Sequence, residues 1–159
     1  MKIIDNVLPD NVFKDIQDVF LGNTFSWYYM SSVEDSIYND GNYYFSSVIY
    51  NNCAPTTNLF QKLFPVLDVL QPKALVRIKA NLYPNINKFV THKPHKDYEY
   101  KHNGAIFYLN TNNGYTILED GTKVESVANR LLMFDASENH SSTNCTDTQA
   151  RVNINFNYF

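Results

Sequence analysis

A chain of 159 residues is long enough for one domain with a hydrophobic core and short for two. Its net charge of −3 and pI near 5.7, with Lys and Arg scattered, argue against a nucleic-acid-binding footprint, and no apolar run is long enough to span a bilayer. Met1-Lys2-Ile3-Ile4-Asp5 lacks the apolar stretch of a signal peptide, and two isolated cysteines, Cys53 and Cys145, make no disulfide framework, so a reducing cytoplasm is the expected setting.

Leu8-Pro9-Asp10 reads as a helix start. Val12, Phe13, Ile16, Val19 and Phe20 recur at helical spacing, and Gly22 closes the segment. A Tyr-rich stretch from Phe25 to Tyr50, interrupted at Asn39-Asp40-Gly41-Asn42, reads as two short strands or a flap. A second helical segment begins near Thr56 or Thr57 and carries Leu59, Phe60, Leu63, Phe64, Leu67 and Leu70 on one face. Pro65 should kink or split it, because proline removes a backbone donor.

From Ala74 the periodicity becomes two. Val76, Ile78, Ala80 and Leu82 form one face of a strand, and Arg77, Lys79, Asn81 and Tyr83 the other. The last segment repeats the arrangement, with Val152, Ile154 and Phe156 alternating with Arg151, Asn153 and Asn155. A sheet of this kind covers a core with one face and lines a polar space with the other. Further strands are predicted over 104–110, 114–118 and 130–135, and Asn113-Gly114 and Asp120-Gly121 signal antiparallel hairpins. Two helices followed by about seven or eight strands make one α+β domain over 1–159, with a helical and Tyr-rich part at 1–73 and a strand-rich core at 74–159.

Among the four histidines, His95 stands two residues before Asp97. On a strand, positions i and i+2 point to the same side, so both side chains can reach one ion. His140, just after the strand Leu131-Leu132-Met133-Phe134, is available as a third ligand. Two His and one carboxylate, with open positions for a chelating cosubstrate and dioxygen, is the facial set of non-haem iron(II) oxygenases. A His-x-Asp pair also recurs by chance, and His92 and His102 are equally available on spacing alone. Arg151 lies on the polar face of its strand, where a guanidinium needs an anionic partner: either a carboxylate ligand or an Asp or Glu of the chain. Tyr83, on the same face, adds a phenol donor.

The ordered set His95-x-Asp97, His140 and Arg151 resembles the 2-oxoglutarate/Fe(II) dioxygenase superfamily, in its prolyl 4-hydroxylase-like branch, with the texture of hypoxia-type prolyl hydroxylases and small phage oxygenases. Asn81-Leu82-Tyr83-Pro84, Phe107-Tyr108-Leu109-Asn110 and Asn129-Arg130-Leu131-Leu132-Met133-Phe134 resemble the strands that flank these motifs in that family. The resemblance covers roughly Ala74 to Phe159. It implies a double-stranded β-helix (jelly-roll) core with the N-terminal helices packed on the major sheet. It further implies iron(II) held by His95, Asp97 and His140. Arg151, helped by the Tyr108 hydroxyl, would receive the far carboxylate of 2-oxoglutarate, and Tyr83 would lie beside the cosubstrate. The implied reaction uses dioxygen to hydroxylate an aliphatic C–H of a prolyl, peptidyl or small-molecule substrate, releasing succinate and CO2. The His140-to-Arg151 spacing is slightly long for the family, consistent with a longer turn at Asn144-Cys145-Thr146-Asp147, and the short chain leaves little room for a separate substrate domain. Tyr98, Glu99, Tyr100 and Lys101 follow the motif as an exposed loop or a substrate contact.

Two other readings stay open. Nucleic-acid demethylation within the superfamily would call for a basic groove and a second arginine beyond the one that holds 2-oxoglutarate, whereas Arg151 is the last Arg or Lys of the chain. A cupin-like protein binding a metal or ligand without catalysis would be expected to supply more histidines from glycine-rich motifs. A zinc hydrolase lacks an obvious general base beside the ligands.

Overall fold

The computed structural model describes residues 1–32 and 42–159. A short strand β1 (Lys2–Ile4) leads into helix α1 (Asp10–Leu21), whose first turn opens with Phe13 N–H donating to the Pro9 carbonyl at 2.9 Å. Ile16 and Phe20 are buried and Val12, Phe13 and Val19 pack beside them, which is the stripe the spacing predicts. The helix stops at Gly22, where a Cβ would lie 2.5 Å from the Asp18 carbonyl oxygen, a space that only glycine leaves.

In the Tyr-rich stretch, β2 (Tyr28–Met30) and β3 (Tyr44–Asn51) pair antiparallel, and β4 (Ala54–Pro55) turns back onto β3. Residues 39–41 of the expected interruption lie outside the described residues. Pro65 splits the second helical segment. A 3₁₀ helix (Asn58–Leu63), capped by the Thr57 hydroxyl accepting from Leu59 N–H at 3.3 Å, gives way to α2 (Phe64–Leu70). Pro65 then sits in the first turn of α2, where its missing N–H would have had no intrahelical partner.

The remaining strands are β5 (Leu75–Pro84), β6 (Asn103–Tyr108), β7 (Tyr115–Leu118), β8 (Lys123–Glu125), β9 (Arg130–Asp135), β10 (His140–Ser142) and β11 (Ala150–Tyr158). They form two sheets. The major one runs β1-β9-β6-β11-β5-β3-β2, with β4 beside β3, and the minor one runs β10-β7-β8. Asp120-Gly121 makes the β7–β8 hairpin, with Gly121 at φ +82° and its N–H donating to Leu118. Asn113-Gly114 does not make a hairpin. There the chain crosses from β6 in the major sheet to β7 in the minor one, and Gly114 is needed for close packing instead.

Register explains the two faces of the major sheet. Ala80, Ile154, Phe107 and Leu131 stand in one row across β5, β11, β6 and β9, and all are fully buried. This face receives the helices, with Phe13 packing edge-on against Phe107 at 5.9 Å between ring centroids. One position along, Asn81, Asn153 and Tyr108 form a row on the opposite face, flanked by the pairs Arg151–Tyr83, Lys79–Asn155 and Arg77–Asn157. This polar face looks toward the minor sheet. Two sheets face to face in this way form a jelly-roll core, with the helices behind the larger one. Among the described residues, no helix is long and apolar enough to cross a membrane.

Phe20 is fully buried and 4.7 Å, centroid to centroid, from Phe25. Phe20→Ala is therefore expected to cost about 3–5 kcal/mol, read as a lower denaturant midpoint with an unchanged slope.

Candidate metal centre and its anion pocket

His95 and Asp97 lie on the loop between β5 and β6 and not on a regular strand. Pro94 removes a ladder donor next to His95, so pairing is limited to isolated bridges, Thr91 with Thr143 and His95 with His140. The second bridge is what matters for the site. His95 N–H donates to the His140 carbonyl and His140 N–H to the His95 carbonyl, both at 2.9 Å. Residues paired in this way place their side chains on the same face, and the two imidazole centroids are 4.7 Å apart. His140 is buried, with Phe134 edge-on at 4.9 Å.

Asp97 completes the group. One ligating atom from each of His95, Asp97 and His140 lies within 4.8 Å of the others, and His140 Nε2 is 3.8 Å from Asp97 Oδ2. The Asp97 side chain is only 4% exposed, and three donors meet it. Arg77 Nη2 reaches Oδ1 at 2.7 Å, and Asn155 Nδ2 and Asn157 Nδ2 reach Oδ2 at 3.0 and 2.8 Å. Burial pushes this carboxyl up, but His140, Arg77 and the two amides outweigh it and hold the pKa at about 2. Burial, reinforced by His140 and opposed by Asp97, pushes His95 down, which favours the neutral imidazole that binds metals. The donor set is therefore one carboxylate beside two imidazoles, which suits a divalent iron with open positions.

Arg151 is fully buried. Its Nη1 donates to the Thr143 carbonyl at 3.1 Å and its Nη2 to Thr116 Oγ1 at 2.9 Å, while Nε is buried without a partner. The rings of Tyr83 and Tyr108 lie 5.4 and 5.6 Å from the guanidinium carbon. Among the described residues, no Asp or Glu forms an ion pair with it. A cation held this way lacks its counter-charge, and a carboxylate of a bound ligand would supply it.

The tyrosines expected beside the cosubstrate surround this arginine. Tyr108 donates its hydroxyl to Thr116 Oγ1 at 2.8 Å, so Thr116 ties Tyr108 to Arg151. Tyr83 stacks between Tyr44 and His92, at 5.5 and 5.1 Å, and hydrogen-bonds Ser142. Burial raises both phenols, so they stay protonated donors. His92 and His102 stand apart from the ligand group: His92 Nδ1 meets Ser142 Oγ at 3.1 Å, and His102 Nδ1 meets the Tyr100 carbonyl at 2.9 Å. Glu99, Tyr100 and Lys101 are exposed, and Glu99 borders the mouth of the site.

Five residues here were not singled out from the sequence as site residues: Thr116, Gly114, Asn157 and, in this role, Arg77 and Asn155. Gly114 leaves the room that Arg151 occupies, since a Cβ there would lie 2.6 Å from Arg151 Cδ and 2.5 Å from the Asn144 carbonyl. Arg77 and Asn157 carried a signal in the alternation of β5 and β11, which puts them on the polar face.

His95, Asp97, His140, Arg151, Tyr83 and Thr116 all line one narrow cavity of about 30 Å³. At its mouth, a cleft of about 1500 Å³ shares Tyr44, Lys79, His95 and Asp97 with it and continues past Ser46, Ser47, Thr57 and Tyr28.

No family model matches the chain. No curated protein matches it by sequence either. Solved structures do match. A prolyl hydroxylase from Trichoplax adhaerens, in complex with a hypoxia inducible factor oxygen degradation domain peptide fragment, superposes with TM-score 0.70 at 15% identity, covering 99% of this chain and 82% of that one. A Pseudomonas putida prolyl-4-hydroxylase gives 0.61 at 15% identity, over 99% and 91%. A 2OG-Fe(II) oxygenase family oxidoreductase from Burkholderia pseudomallei gives 0.68 at 9% identity, over 98% and 83%. The chain therefore has the double-stranded β-helix fold that these oxygenase structures share.

Gly114→Ala should strain the Arg151 pocket at a cost of about 1–3 kcal/mol, as overpacked sites do. Thermal unfolding of the variant checks this, and an unchanged midpoint would show that the pocket has slack.

Proposed function

We propose that the protein is an iron(II)- and 2-oxoglutarate-dependent dioxygenase that hydroxylates an aliphatic C–H, with the whole chain acting as a single oxygenase domain. The observation that carries this reading is the shared cavity. Two imidazoles and a carboxylate converge in it, and a fully buried guanidinium, with no carboxylate partner among the described residues, lines it too. A dicarboxylic acid with a chelating 2-oxo group suits both features at once.

In this reading His95, Asp97 and His140 hold the metal. Arg151 receives the far carboxylate as a planar, bidentate donor, with Nε and the Nη groups presented by Thr116 and Thr143. Tyr83 and Tyr108 cover the guanidinium and keep water from competing for it. Bound there, iron(II) and 2-oxoglutarate supply the oxidising chemistry with dioxygen, and the cosubstrate leaves as succinate and CO2. The protein contributes position, charge complementarity and a dry wall around the reacting groups.

The cleft at the cavity mouth supports a substrate that approaches from solvent and places one C–H at the metal. It is large enough for a peptide segment, and the Trichoplax neighbour was solved with a peptide fragment, so a prolyl or other peptidyl substrate leads and a small molecule comes next. Its lining of hydroxyls and amides (Ser46, Ser47, Thr57 and Asn58) suits polar main chain.

Incubation with iron(II), 2-oxoglutarate and oxygen should yield succinate even without a primary substrate, and His140→Ala should abolish it. Succinate formation at the wild-type rate by His140→Ala would remove that residue from the centre. Arg151→Gln should raise the 2-oxoglutarate requirement roughly 10–100-fold, because hydrogen bonds to a charged group contribute about 1.5–3 kcal/mol. A normal requirement would contradict its role.

A further inference from the structure

The three candidate ligands are held in two different ways. His95 and His140 are fixed by their own backbones through the reciprocal 2.9 Å pair. Asp97 lies beyond that pair on a loop that forms no ladder, and its N–H has only a long bond, 3.4 Å, to the Ala136 carbonyl. Its backbone alone does not aim its carboxylate. The side chains that do so come from the opposite wall. Arg77 on β5 and Asn157 on β11 stand directly opposite each other in register, and Asn155 is two residues back on the same face. Together they place donors at 2.7, 2.8 and 3.0 Å from the two carboxylate oxygens.

A carboxylate offers about four lone-pair directions. Three donors leave roughly one for a metal, so Asp97 can give a single-oxygen contact but not a bidentate grip. Arg77 Nε is buried without a partner, so the residue is placed for its Asp97 contact and not for full use of its own donors. We infer that Arg77, with Asn155 and Asn157, is a positioning residue that pre-aims Asp97 as a one-oxygen ligand and so keeps the remaining metal positions open. This deepens the oxygenase reading and rests on it. The strands β5 and β11 provide the rigidity that the loop lacks, which is how outer partners commonly orient a metal ligand.

The test is Mn(II) titration, followed by the electron paramagnetic resonance of the free and bound ion, on the full chain without cosubstrate. Arg77→Gln should weaken Mn(II) affinity roughly 10–100-fold and change the line shape of the bound ion, and Arg77→Lys should restore the larger part of the affinity. Equal affinity and line shape in Arg77→Gln would overturn the inference. If Arg77→Gln does not fold, Asn155→Ser, which withdraws one donor from Oδ2, should still weaken Mn(II) binding, and unchanged binding there overturns it equally. A wild-type chain that takes up no Mn(II) would instead overturn the metal centre, and the clamp with it.

Discussion

The buried guanidinium of Arg151 sets the terms for the rest of the site. A charge removed from water needs a counter-charge or a dense set of hydrogen bonds, and Arg151 has only neutral oxygens, of Thr143, Thr116 and Tyr108, and two aromatic rings beside it. Around it the fold makes consistent choices. Glycine at 114 leaves space for its methylenes, Thr116 bonds both it and Tyr108, and Tyr83 faces it from the neighbouring strand. Among the described residues, no carboxylate forms an ion pair with it. Under the proposed function, these choices together make the socket for the far carboxylate of the cosubstrate.

The same sheet holds the opposite balance a few residues away. Arg77 and Arg151 both point from alternating strands into the polar face, yet Arg77 is neutralised by Asp97 and Arg151 is not. Under the proposed function, this asymmetry leaves Arg77 paired within the chain and Arg151 as the cation that takes a carboxylate from a ligand. Burial opposes ionisation of Asp97, but His140, then Arg77 and the two asparagine amides, outweigh it and keep its pKa low.

Much of this was legible in the sequence wherever local rules decide. Alternation in β5 and β11 revealed which side chains line the cavity, and Pro65 announced the break in the second helix. The convergence of His95, Asp97 and His140 followed from a motif and its order. What stayed hidden depends on approaches between distant residues. Asn113-Gly114 carries a hairpin signal, but its glycine serves the packing of Arg151 and Asn144, far along the chain. The His95-x-Asp97 spacing suits a strand, but Pro94 breaks the ladder there, and the orientation a strand would have provided comes from Arg77 and two asparagines. Thr116 carries no signal of its own, since a threonine in a short strand is ordinary until its partners are known.

The account stands on one ligand bridging the two ends of the cavity, metal to 2-oxo acid and distal carboxylate to Arg151. The most direct measurement is an anaerobic titration of the iron(II)-loaded protein with 2-oxoglutarate, watched in visible absorption. Chelation of iron(II) by a 2-oxo acid produces a charge-transfer band, and the account predicts one that saturates with stoichiometric cosubstrate and is not produced by succinate, which has no oxo group. A protein that binds iron(II) but develops no band at any 2-oxoglutarate concentration would contradict it.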